Sequence, residues 1–212
     1  MEQYFGTYQT FDAYSKDAAG ILLGADCLVG DTFDVRIEIH DGEHRAIMAD
    51  KFGHDVALFN PNFSRKLSVL AAGGLKIKAI LSFVAFTEKE EGGQYWGEAA
   101  VFAYTPLHEQ SFENFIAGIG LEIQENVRPR IDFGREGIDK IIESNGNWVP
   151  DQSVPMPSKK KGTVIMKDHR TLSDKIIEQG RARNIGCYFV SWTFIAALIV
   201  GVAYIVYQLV FN

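Results

Sequence analysis

The sequence predicts an α+β protein: a small antiparallel β-barrel or curled sheet carrying two to three helices, followed by one C-terminal transmembrane helix. Three stretches carry that reading. Phe33, Val35, Ile37 and Ile39 alternate with charged or polar residues up to an Asp41-Gly42 turn, the pattern of a hairpin with one buried face. Leu75 to Phe86 and Tyr95 to Tyr104 form two long strand patterns joined by the acidic glycine loop Glu88 to Gly93, a ribbon long enough to curl over a barrel. Residues 185 to 211 carry no charge, and a bilayer core is crossed by about 20 apolar residues in a helix.

Residues 1 to 30 give the weakest signal. Tyr4, Phe5, Tyr8, Phe11 and Tyr14 follow neither period and are read as rings packing on a core. Ile21-Leu22-Leu23 and Cys27-Leu28-Val29, interrupted by Gly20, Gly24 and Gly30, read as short buried strands or an opening turn. The hairpin returns through Arg45 to Ala49, and a turn at Lys51 to His54 leads into a strand at Asp55 to Phe59. Asn60 is a cap, Pro61 opens a helix over 62 to 72, and Gly73-Gly74 stops it. After the ribbon, Pro106 ends the sheet and two helices follow, Ser111 to Ile119 and Gly134 to Ser144. Phe112, Phe115, Ile116 and Ile119 on the first, with Ile138, Ile141 and Ile142 on the second, form apolar faces that close one side of the sheet. The expected domain is 1–146, with a barrel-like core at about 28–105 and helices at about 107–145.

Residues 147–170, with Pro150, Pro155, Pro157 and the Lys159-Lys160-Lys161 run, read as a solvated linker. Thr171 and Asp174 form an N-cap signature for a juxtamembrane amphipathic helix over 171–184. Arg181 and Arg183 precede the uncharged run, Tyr188 and Trp192 stand near one end of it, and Tyr204 and Tyr207 lie toward the other, as aromatic rings do at membrane interfaces. Positive charge stays on the cytoplasmic side, so the expected topology is a tail anchor in the cell membrane with the N-terminal domain in the cytoplasm. Ala197 and Gly201, four apart, permit close approach of a second copy. Cys27 and Cys187 are too few for a disulfide framework; Cys187 reads as a helix-face residue or an acylation site.

Residues 46 to 84 resemble the second half of a HIRAN domain, a small six-stranded barrel associated with nucleic-acid enzymes. The matching pieces are Ala46-Ile47, a glycine turn, the strand Val56 to Phe59, a helix with Leu67 and Leu70, the Gly73-Gly74 stop and the strand Leu75 to Ala79. The resemblance implies capture of a single-stranded DNA end through an Asn-x-Tyr-Asp-x-x-Ala motif. Counted back from Ala46, that motif falls on His40, Gly42 and Glu43, so the aromatic is absent and the carboxylate is one methylene longer.

Charge argues in the same direction. Residues 1 to 150 hold 13 basic and 23 acidic side chains, a net of −10, against 8 and 4 in the remainder. An acidic domain lacks the basic footprint of phosphate binding and stands off an anionic leaflet, while the basic tail is drawn to it. No nucleotide-binding glycine loop, nucleophile elbow or paired zinc-histidine motif occurs. Arg128, Arg130 and Arg135 are the candidate ligand-binding cluster, and His40, Glu43 and His44 a weak metal candidate. No cofactor is expected. The leading functional expectation is a non-enzymatic binding or scaffold domain, with the lipid bilayer and a protein as partners. A nucleic-acid-end binder and an unrecognised enzyme are the alternatives.

Overall fold

One strand pairing beyond the linear order is what closes this sheet. The computed structural model describes residues 3–88, 92–158, 161–171, 173–176, 193–195 and 198. The strands are β1 (Tyr4–Ala13), β2 (Thr32–His40), β3 (Glu43–Ala49), β4 (Asp55–Phe59), β5 (Lys76–Thr87), β6 (Gln94–Tyr104) and β7 (Thr163–Lys167). The helices are α1 (Lys16–Leu23), α2 (Pro61–Ala72), α3 (Glu109–Gln124) and α4 (Arg135–Glu143), with a short 3-10 turn at Pro106–His108. Sheet order is β2-β3-β4-β1-β6-β5-β7, every pairing is antiparallel, and β2 also pairs with β5, which closes six strands into a barrel. Strand β7 lies outside the closed ring, paired with the distal half of β5. Closure leaves few unpaired edges.

The core has two layers separated by the barrel wall. Ala99, Val101 and Ala103 of β6 face inward with Phe11, Met48, Leu67 and Leu81, whereas Ala100, Phe102 and Tyr104 face outward against Phe112, Phe115 and Ile119 of α3. Helix α2 begins where the sequence places it: the Asn60 side chain accepts from Phe63 N at 3.0 Å, and Pro61 fills the first turn. It buries Phe63, Leu67 and Leu70 against the barrel interior. The Asp41-Gly42 turn has φ of 51° and 79°, the left-handed pair that a two-residue hairpin requires.

The expected architecture needs correction in several places. Among the described residues four α-helices are named, all before residue 144, where two to three were expected. Within residues 3–30 the chain forms a strand and a helix. Strand β1 sits between β4 and β6, so Phe11 packs inward and Tyr4 outward, which hides the period of two. Helix α1 is capped by Ser15, whose oxygen accepts from Ala18 N at 3.1 Å. Residues 147–170 are not a free linker, because Met1–Arg170 is one compact unit containing β7. Burial alternates along Thr163-Val164-Ile165-Met166-Lys167, with Val164 and Met166 exposed and the other three half-buried, as in an outlying strand with one covered face.

The expected C-terminal transmembrane helix is not supported: among the described residues no helix is long and apolar enough to cross a membrane. Most of 185–211 lies outside the described residues, including Cys187, Tyr188, Trp192, Ala197, Gly201, Tyr204 and Tyr207, as do Arg181 and Arg183. Thr171–Asn212 is a separate unit. Within it, Asp174 N donates to Thr171 Oγ1 at 3.2 Å and Thr171 N donates to an Asp174 carboxylate oxygen at 3.0 Å, a reciprocal cap at the start of the helical residues 173–176.

Candidate functional site

A cleft of about 660 Å³ opens on the outer face of the barrel, between the start of β1, the segment 130–137 and the segment 148–152. Its volume is in the range of sites for small ligands. The chain builds it from an aromatic floor. Phe133 stacks on buried Tyr4 with centroids 4.9 Å apart and meets Trp148 edge-on at 5.6 Å. Behind them, Phe115 of α3 packs against both Phe133 and Trp148. Tyr4 Oη donates to Ile131 O at 2.9 Å and fastens this segment to β1; burial raises the Tyr4 phenol well above its usual range. Gly6 allows the approach, since a Cβ there would collide with the Ile131 carbonyl and the Tyr4 hydroxyl.

The cleft rim is charged. Arg130 Nε donates to Asp132 Oδ1 at 2.8 Å, and Arg130 Nη1 reaches Gln152 Oε1 at 3.2 Å. Lys140 pairs with Glu136 one helical turn away at 2.9 Å, and its ammonium lies 5.6 Å from the centroid of the Trp148 ring. Hydrogen bonding and charge from Lys140 lower the Glu136 carboxyl, and Glu136 raises the Lys140 ammonium in return, so both stay charged near neutrality. Asp151 is the third carboxylate of the lining and is exposed.

The three arginines of the sequence cluster are therefore separated. Arg128 is buried, pairs with buried Glu98 of β6, donates to Pro155 O at 2.8 Å and lies 4.5 Å over the Tyr8 ring. It fastens the outer segments to the barrel and is closed to a ligand. Burial raises the Glu98 carboxyl, and the Arg128 charge and hydrogen bond oppose that. Arg130 alone of the three lines the cleft; Arg135 is exposed at the start of α4.

The β2–β3 tip holds the weak metal candidates and does not gather them. His40 pairs across the hairpin with Glu43, and Ile39 with His44, so His44 lies on the opposite face from the other two. Among the described residues no group of three or more His, Cys, Asp or Glu converges as a metal site. His54 instead bonds to buried Asp50 at 2.9 Å within the β3–β4 turn.

Sequence reading missed Tyr4, Phe133, Lys140, Trp148 and Asp151 as members of one site. Tyr4 is distant in the chain from the other four, which lie within residues 133–151 on separate local structures, and no local spacing announces them. In comparisons with known proteins, no family model matches this chain, and no curated protein matches it.

Proposed function

We propose that this chain is a non-enzymatic binding module whose ligand site is the Phe133–Trp148 cleft, carried at the cytoplasmic side of a membrane. The observation that supports it most is the chemistry of the lining: stacked and edge-on rings under charges already held in Arg130–Asp132 and Lys140–Glu136 pairs. Rings and fixed charges orient a bound group. General acid–base work asks instead for a titratable group poised near neutrality, and Glu136 and Lys140 are both shifted away from it. Membrane association is supported by the uncharged run 185–211, and the orientation by the basic residues upstream of it.

Affinity purification of the full chain tests the reading. A partner recovered with the native protein and lost with an Asp151→Lys, Asp132→Asn double variant supports it. A recovered set that ignores both substitutions contradicts it.

A second reading, a nucleic-acid-end binder of the HIRAN kind, draws support from the six-strand closure and from the position of α2 between β4 and β5. Against it stand Gly42 in place of the stacking aromatic and the acidic charge of the domain. Titration with single-stranded DNA across a salt series separates the two.

A further inference from the structure

Resting on the binding-module reading, we infer that the cleft takes a cationic side chain, arginine or lysine, presented by a basic segment of a partner protein. The charge balance of the lining comes first. Its two cations, Arg130 and Lys140, are each paired with a carboxylate of the same wall, Asp132 and Glu136, and Asp151, whose charge also acts on Lys140, is a third carboxylate against those two cations. An arriving anion meets a wall with a net negative charge, and an arriving cation meets a carboxylate outside those two pairs.

The rings set the second condition. Phe133 and Trp148 are only partly buried and line the opening, and an aromatic face attracts a cation within about 6 Å of its centroid. The protein already shows this preference in its own Lys140, placed over Trp148. A partner guanidinium would stack on the same rings and donate its hydrogen bonds to Asp151, with Lys140 held to one side by Glu136.

The wider field agrees. Residues 1 to 150 carry a net charge of −10, so long-range attraction gathers basic segments and repels acidic ones and phosphate backbones.

The test uses the full chain in a non-ionic detergent and three blocked tripeptides, Gly-Arg-Gly, Gly-citrulline-Gly and Gly-Glu-Gly, with the Trp148 indole and Phe133 ring signals followed by NMR. The expected result is a saturable shift with the arginine peptide, about tenfold weaker with the citrulline peptide and weaker again in Asp151→Lys. Because Asp151 is exposed, that variant keeps its fold, and unchanged signals elsewhere in the barrel check it. Equal shifts with arginine and citrulline, or a shift with the glutamate peptide instead, overturn the cationic assignment while leaving a binding cleft in place. No shift with any peptide overturns it as well, and the cleft reading itself then stands or falls on whether captured partners respond to the Asp151 and Asp132 substitutions.

Discussion

Arg128 and Glu98 form an ion pair inside the protein, 5% and 6% exposed, with the guanidinium lying on the Tyr8 ring and reaching the Pro155 carbonyl. The pair joins the outer face of the barrel to the two segments that frame the cleft. Main-chain bonds from Arg130 N to Gln152 O and from Val154 N to Arg128 O, both 2.7 Å, complete the same joint.

Breaking that pair from one side strands a buried charge. Arg128→Met is expected to cost about 3–5 kcal/mol in denaturant unfolding, whereas Arg128→Met with Glu98→Gln recovers a large part of the loss. A double variant no more stable than the single one would show that the arginine's other contacts, not its charge pairing, hold the joint.

Asp50 gives the β3–β4 turn a pH dependence. Burial pushes its carboxyl upward, but the bonds from the His54 side chain and from His54 and Phe52 N–H groups outweigh burial and lower it. A lowered folded value means the stabilisation is in place above about pH 4, the ordinary carboxylate range, and is lost as pH falls through the lower folded value. Asp50→Asn should flatten the acid limb of a stability–pH curve and cost about 1–3 kcal/mol at neutral pH. An unchanged acid limb would contradict this.

Gly6→Ala should lift the 130–133 segment from β1, because the added methyl meets a main-chain carbonyl. The expected cost is about 1–3 kcal/mol, with loss of the Tyr4–Phe133 stack visible as changed aromatic ring-current shifts.

Lys167 ends β7 by donating to the carbonyls of Leu22, Gly24 and Cys27 at 3.2, 2.9 and 2.7 Å. Lys167→Met leaves those carbonyls short of a donor, and amide exchange over Thr163–Lys167 should quicken by at least tenfold, equivalent to about 1.4 kcal/mol of local opening. Unchanged exchange would mean that the pairing with β5 suffices.

Elements built from neighbouring residues were legible in the sequence, and those built across it were not. The alternation of β2, the Asp41-Gly42 turn and the Asn60-Pro61 start of α2 are local patterns with local causes, and they stand where they were read. Strand β1 escaped because both of its faces are covered, which erases alternation. The 147–170 segment misled through its prolines: Pro155 is exposed, yet its carbonyl accepts from Arg128 and ties the chain to the barrel. Of the arginine cluster only Arg130 reaches the cleft: Arg128 is buried on Glu98, whereas Arg130, two residues on, is exposed beside Asp132, a divergence that the period of two in an extended stretch does not foretell.

The central claim is that the outer cleft is where a partner sits. Amide hydrogen exchange on the full chain, free and with its captured partner, measures this directly. The account predicts slowed exchange concentrated in residues 131–137 and 148–152, with the β2–β3 tip unaffected. Protection centred on residues 39–44, or none in the two cleft segments, would contradict it.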